Sequence, residues 1–116
     1  MKLTGGIHHI ALKVNNLDTC ATFYQHILGL TPHPSPLAPK ERSRWFQLEN
    51  HGILMLEKDN DPRPSNWNII AFRIVKKDQA SWRSYLQEKG VTINQESDYT
   101  IYIQDPEGNR LGLSFL

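Results

Sequence analysis

The sequence predicts an α+β fold built from two related halves, and three observations carry this prediction. The chain has 116 residues, enough for one domain with its own core. The segment HIALKV at 9–14 returns as IIAFRI at 69–74, and QLENHGILML at 47–56 returns as QDPEGNRLGL at 104–113, with offsets of 60 and 57 residues. Because each predicted helix precedes several hairpin-joined strands, we expect helices on one face of a mostly antiparallel sheet.

The first half begins with a strand and continues into a helix. Apolar and polar residues alternate over 9–14, the period-two pattern of a half-buried strand. Asn15 or Asn16 is placed to cap a helix over 17–28, and Gly29 is placed to end it. Two further strands are expected at Trp45–Leu48 and Ile53–Glu57.

The second half repeats this order, and two loops separate the elements. A helix from Asp78 to Gly90 follows its first strand. Thr31–Pro39 holds four prolines and Lys58–Asn66 is polar, which predicts a loop and a linker. We therefore expect a single domain over 1–116, made of module 1 (1–57), the linker (58–66) and module 2 (67–116). The strands predicted in module 2 are Ile69–Val75, a weaker Thr92–Asn94, Thr100–Gln104 and Leu111–Phe115.

Composition excludes several classes of function. Thirteen lysines and arginines against twelve aspartates and glutamates give a net charge of +1, which predicts no nucleic-acid partner and no acidic membrane partner. No apolar run approaches the roughly 20 residues of a membrane span. The single Cys20 cannot form an internal disulfide, so we expect a cytoplasmic protein.

Strand parity separates a helix-covered face from an open face whose residues are chemically mixed. The open face combines cations and aromatic side chains with small residues, which fits a pocket for a small molecule. The alternative is an interface between copies of the chain. The open-face set comprises His9, Ala11, Lys13, Trp45, Gln47, Ile53, Met55, Glu57, Ile69, Ala71, Arg73, Tyr102, Gly112 and Ser114.

Motifs at both ends of the chain carry a family resemblance. The opening GIHHIALKVNNLD at 6–18, with FY at 23–24 and LGL at 28–30, resembles the vicinal oxygen chelate superfamily. The closing DPEGNRLGL at 105–113 is similar to the same group, which includes glyoxalase I, extradiol dioxygenases, fosfomycin resistance enzymes and bleomycin resistance proteins. The resemblance implies a glyoxalase-like fold, with two tandem βαβββ modules whose curved, mostly antiparallel sheets surround a cavity, and a homodimer.

The resemblance also implies positions for a metal ion, and this sequence fills them unevenly. Members that use a metal hold it on the first and last strands of each module, where this chain has His9, Met55, Ile69 and Gly112. Ile69 and Gly112 have no donor side chain, and the thioether of Met55 is a soft ligand. We therefore expect no cofactor. The alternative is a divalent metal (Zn, Ni, Mn or Fe) held by His9 and Glu57 with ligands from a partner chain.

The leading functional hypothesis is a domain that binds a small organic ligand, anionic or aromatic, without the usual metal centre. Lys13 and Arg73 occupy equivalent positions in the two modules and could hold an anion beside aromatic walls, or could extend to water at the strand ends. The competing hypotheses are a lyase or dioxygenase of the superfamily, and an enzyme with His9 as a catalytic general base. The ligand-binding candidates are Lys13, Trp45, Gln47, Met55, Ile69, Arg73, Tyr102 and Ser114.

Overall fold

A computed structural model describes residues 1–35, 39–64 and 67–116 of the chain. These residues form two compact units, Met1–Arg63 and Pro64–Leu116, and each unit contains one four-stranded sheet. The boundary between the units falls inside the predicted linker. Residues 36–38 of the proline-rich loop and 65–66 of the linker lie outside the described residues.

The first unit has one helix and four strands. Its sheet order is β1-β4-β3-β2, in which β1 runs parallel to β4 and the other pairs are antiparallel. Asn16 caps the helix, since its side-chain oxygen accepts a hydrogen bond from the Thr19 amide at 3.0 Å. The helix continues as a π-helical turn over Phe23–Ile27. The elements are β1 (His9–Val14), α1 (Leu17–Thr22), β2 (Thr31–His33), β3 (Ser43–Gln47) and β4 (Ile53–Lys58).

The second unit repeats this topology. Its sheet order is β5-β8-β7-β6, again with one parallel pair, β5 with β8, and two antiparallel pairs. A short 3-10 turn, Lys76–Asp78, precedes its helix. The elements are β5 (Ile70–Arg73), α2 (Gln79–Glu88), β6 (Gln95–Glu96), β7 (Thr100–Gln104) and β8 (Arg110–Ser114).

Strand register confirms the internal repeat residue by residue. In the parallel pair of the first unit, Ile10 lies opposite Leu54. In the second unit, Ile70 lies opposite Leu111. These pairs are separated along the chain by the same offsets of 60 and 57 residues that the sequence repeat shows. The α+β class and the tandem βαβββ order are therefore as predicted.

The helix-covered face of each sheet carries the core. In the first unit Val14, Leu54 and Leu56 are completely buried, and in the second unit Ile101 and Leu111 are too. Alternating burial along the strands follows the predicted parity. Among the described residues, no helix has the length and apolar character needed to cross a membrane.

Two predicted segments are corrected by the structure. Thr31–His33 is not a loop but the edge strand β2, where Pro32 is tolerated because an edge strand needs hydrogen bonds on one side only. The weak strand predicted at Thr92–Asn94 lies instead at Gln95–Glu96, where pairing with β7 sets its position. The other strands begin and end within two residues of their predicted bounds.

Candidate functional site

The open face of the first sheet brings most of the first-unit candidates into cross-strand rows. Side chains at aligned positions of neighbouring strands point to the same face, so the pairing register fixes which candidates are neighbours. One end of the face is polar, its middle is aromatic and apolar, and its other end is charged. The rows are His9, Ile53, Gln47 and Thr31, then Ala11, Met55, Trp45 and His33, then Lys13, Glu57 and Ser43.

The charged end of this face opens into a cavity of about 720 Å³. This volume is within the range of pockets that hold small organic molecules. Trp45 and Met55 form its apolar wall, and the stacked ring of His33 lies 6.2 Å from the Trp45 ring. The charged lining comprises the cations Lys13, Arg42 and Lys58 and the acids Glu41 and Glu57.

Lys13 forms an ion pair inside this cavity. Its Nζ lies 2.6 Å from Oε2 of Glu57, the residue directly opposite it on β4. The hydrogen bond to Glu57, reinforced by the charge of that carboxylate, raises the pKa of the Lys13 ammonium. Lys13 therefore stays protonated, but much of its charge is balanced within the cavity. The side chains remain 55% and 30% exposed, so a ligand can reach both.

The equivalent position in the second unit is an unbalanced cation. Arg73 lies opposite Ser114 rather than a carboxylate, and no ion pair involves it among the residues that the structure describes. The Ser114 hydroxyl accepts a hydrogen bond from Thr100 at 2.9 Å. Tyr102, on the same face, has the Arg110 guanidinium 5.0 Å from its ring centre. Of the two cations at equivalent positions of the repeat, Arg73 is better suited to bind an anion, because the charge of Lys13 is balanced by Glu57.

Three residues predicted for the site, Gln47, His9 and Glu57, do not converge on one point. The Gln47 amide donates to the carbonyl oxygens of Leu48 and Gly52, at 2.8 and 3.4 Å. His9 is exposed at the start of β1 and lies opposite Ile53. Glu57 is four residues further along β4, roughly 13 Å at the rise of a strand. His9 and Glu57 of one chain therefore do not converge on one ion.

Of the two second-unit positions where the family resemblance implies metal ligands, Gly112 is buried against apolar atoms and Ile69 is partly exposed. A Cβ placed on Gly112 would lie 3.0 Å from Cδ1 of Ile69 and 3.1 Å from Cγ2 of Thr100. A carboxylate side chain at 112 has no room unless these neighbours move. Within the described ranges, no group of three His, Cys, Asp or Glu side chains is placed to hold a metal. The family's full donor set does not fit this chain.

Sequence reasoning did not identify Glu41, Arg42 and Lys58 as lining residues. Two of them belong to the loop before β3 and the third ends β4, where strand parity gives no direction. The Lys58 amide donates to the Arg42 carbonyl at 2.9 Å, which fixes the loop beside the strand end. The charge-rich run KERSR at 40–44 was the available signal.

Comparison with known proteins supports the family resemblance that the sequence motifs carry. The model of the Glyoxalase/Bleomycin resistance protein/Dioxygenase superfamily matches residues 6–113. Metallothiol transferase FosB of Staphylococcus haemolyticus strain JCSC1435 is 32% identical over 117 residues, covering 93% of this chain and 81% of FosB. Glutathione transferase FosA of Serratia marcescens is 28% identical, covering 92% of this chain and 78% of FosA.

A solved structure shares the fold. The fosfomycin resistance protein FosX of Listeria monocytogenes, complexed with Mn(II) and sulfate ion, has a TM-score of 0.78 at 18% identity, covering 98% of this chain and 91% of FosX. The expectation that no cofactor is needed is wrong in view of these relatives, because FosB is a metallothiol transferase and FosX holds Mn(II). They point to a divalent metal, the stated alternative. With its repeat, its two βαβββ sheets and these matches, the chain belongs to the glyoxalase, bleomycin resistance protein and dioxygenase superfamily.

Proposed function

We propose that this chain is a divalent-metal-dependent enzyme that transfers a group, such as a thiol, to a small organic molecule. The observation that carries the proposal is its 32% identity to metallothiol transferase FosB across 93% of its length. The proposal treats residues 1–116 as one functional domain of two modules. It includes the homodimer implied by the family resemblance and a cytoplasmic location, which a single cysteine, unable to form an internal disulfide, favours.

The first-unit cavity supplies the substrate-binding surface in this proposal. Lys13 is held protonated by its carboxylate partner, and Arg42 and Lys58 add positive charge to the same lining. These cations suit an anionic group, while Trp45 and Met55 suit an apolar portion of the same molecule.

His9 is the metal donor that this chain retains at a family position. A bound divalent ion would polarise a substrate oxygen as a Lewis acid. Since Ile69 and Gly112 offer no donors, any ion on His9 needs its other ligands elsewhere, from this chain, from a partner chain or from the substrate.

The test combines metal analysis with a transfer assay on full-length protein purified without a histidine tag. We expect a stoichiometric divalent metal that a chelator removes, and consumption of fosfomycin in the presence of glutathione or cysteine that stops after chelation. His9→Ala should abolish both, whereas His26→Ala, an exposed histidine on the π-helical turn, should change neither. Turnover that survives chelation, or a protein that takes up no metal and shows no turnover, would refute the proposal.

A second candidate is ligand binding without turnover, favoured by the cationic, aromatic-walled cavity. It assigns anion binding to Lys13 beside Trp45 in the first unit, and separately to Arg73 beside Tyr102 in the second unit. A thermal-shift screen of small carboxylates, phosphonates and aromatic acids tests it. Each stabilising compound should lose its effect in either the Lys13→Ala or the Arg73→Ala variant, and compounds that still stabilise both variants would exclude the cation role.

A further inference from the structure

We propose that His33 is the general base of this enzyme, and that Nε2 of its imidazole takes the proton of a thiol held in a second cavity. The proposal rests on the proposed function and deepens it, because it names the residue that activates the transferred thiol and the cavity that admits it. His33 ends the edge strand β2 and is half-buried. It lies in the same cross-strand row as Trp45 and Met55, which form the apolar wall of the larger cavity.

A hydrogen bond determines which ring nitrogen of His33 can accept a proton. Nδ1 lies 2.9 Å from the carbonyl oxygen of Pro34. Because a carbonyl oxygen only accepts hydrogen bonds, Nδ1 carries a proton and donates it to this contact. The lone pair of the neutral ring is therefore on Nε2. The ring also stacks on Trp45, with 6.2 Å between the ring centres and 24° between the planes, so its orientation is set from two sides.

A second cavity, which we call the β2 cavity, lies beside His33. It has a volume of about 360 Å³ and shares Ser43 and Trp45 with the larger cavity of about 720 Å³. The Trp45 indole donates a hydrogen bond to the Ser43 hydroxyl at 2.8 Å, which holds the shared wall in place. The two cavities are therefore neighbours, and substrates bound in them can come together where the cavities adjoin.

The charged side chains of the β2 cavity suit a thiol that also carries a carboxylate. Lys40 and Arg44 line this cavity together with His33, and no carboxylate belongs to the lining among the described residues. Arg44 is paired with Asp18, 3.1 Å from its Nη1, whereas Lys40 is exposed. Lysine and arginine bind a carboxylate, and their charge favours the thiolate over the thiol.

The proposed step balances without an oxidant or a reductant. The S–H bond of the thiol breaks, and its proton goes to Nε2 of His33. The sulfur electron pair forms the new C–S bond to an epoxide substrate such as fosfomycin, while one C–O bond of the epoxide breaks. The imidazolium then returns the proton to the released oxygen, so His33 ends in the form in which it began.

The first experiment measures kcat/KM against pH for fosfomycin and mercaptoacetate on untagged, full-length, metal-loaded protein. His33→Asn keeps an amide that can donate to the Pro34 carbonyl but cannot accept the thiol proton. We expect this variant to lose about a hundredfold or more of kcat/KM at neutral pH, the usual contribution of a general base. Its remaining kcat/KM should rise about tenfold per pH unit between about pH 6 and 8, since it depends on thiolate already formed in solution. The control His26→Asn, an exposed histidine on the π-helical turn, should keep the unmutated profile.

Two further measurements test the tautomer and the cavity separately. In 15N NMR of the unmutated protein at about pH 8, where an ordinary imidazole is neutral, His33 should be protonated on Nδ1 and not on Nε2. Lys40→Gln should raise KM for mercaptoacetate roughly threefold or more, the size of an exposed ionic contact, and leave KM for the uncharged mercaptoethanol unchanged.

The outcomes separate this inference from the proposed function. Thiol transfer with an unchanged pH profile in His33→Asn, or a neutral His33 ring protonated on Nε2, overturns the general-base role and leaves the enzyme proposal standing. An equal change in KM for both thiols in Lys40→Gln, or no change for either, overturns the β2 cavity as the thiol site. An unmutated protein that transfers no thiol overturns the proposed function and this inference with it.

Discussion

Adding one methyl group at Gly112 of β8 should destabilise the protein. The new Cβ would lie 3.0 Å from Cδ1 of Ile69 and 3.1 Å from Cγ2 of Thr100, closer than ordinary contact. Overpacking of this kind costs about 1–3 kcal/mol, and replacing glycine in a permitted conformation returns about 0.4–1 kcal/mol through the unfolded chain. We therefore expect Gly112→Ala to lower the free energy of unfolding by about 1 kcal/mol.

The assay is urea unfolding of Gly112→Ala alone and in combination with variants that make room. Ile69→Ala removes the flexible contact. Thr100→Ser removes the Cγ2 methyl but keeps the hydroxyl that donates to Ser114. If the contacts cause the loss, each combination should recover at least about 0.5 kcal/mol relative to additivity, the size of coupling between touching residues.

Two results would refute this reasoning about Gly112. One is a Gly112→Ala protein as stable as the original or more stable, which would mean that the neighbours yield without cost. The other is strict additivity with both Ile69→Ala and Thr100→Ser, which would place the loss elsewhere. A confirmed coupling would show that a carboxylate at 112 requires a compensating change at Ile69 or Thr100.

Two further predictions concern a strained turn and an ion pair. His51 has a φ of +65°, a conformation that is costly for a residue with a Cβ, and its repeat equivalent is Gly108 with a φ of +91°. His51→Gly should therefore raise the free energy of unfolding by about 0.5–1 kcal/mol. A lower urea midpoint would contradict this. The hydrogen bond from Arg83 lowers the pKa of Glu96 below its ordinary value of 4.5, so this pair stabilises the fold above that pH and loses its effect as pH falls through the folded pKa. Glu96→Gln should flatten the acid side of a stability–pH curve measured by urea unfolding, unlike the control Glu88→Gln at the end of α2. An unchanged acid side in Glu96→Gln would exclude this role.

Much of the fold could be predicted from the sequence because its signals are local or periodic. Alternation along 9–14 predicts β1, and two asparagines before an apolar stripe predict a helix cap, which the structure places at Asn16. The repeat offsets also relate the strand pairs of the two units, as Ile10 with Leu54 and Ile70 with Leu111 show. Such patterns follow from backbone geometry and from burial of one face, which together fix the spacing of apolar residues in the sequence.

The candidate site could be predicted only in part, since parity assigns a face but not a partner. Lys13 was correctly expected on the open face, but the sequence did not show that Glu57 would lie opposite it and balance its charge. Arg42 and Lys58 reach the same cavity from a loop and a strand end, where no periodic rule applies. Loop placement depends on contacts between segments distant in the chain, so it appears only after folding.

The sequence by itself determined that the chain is a duplicated α+β protein and that residues 69 and 112 carry no metal-donor side chain. Only the tertiary structure decided what those positions do instead. Gly112 is buried, and the Cδ1 of the partly exposed Ile69 and the Cγ2 of Thr100 occupy the space where its side chain would begin. It likewise decided that the rings of His8 and His9 meet, because β1 begins at His9 and frees His8 from strand alternation.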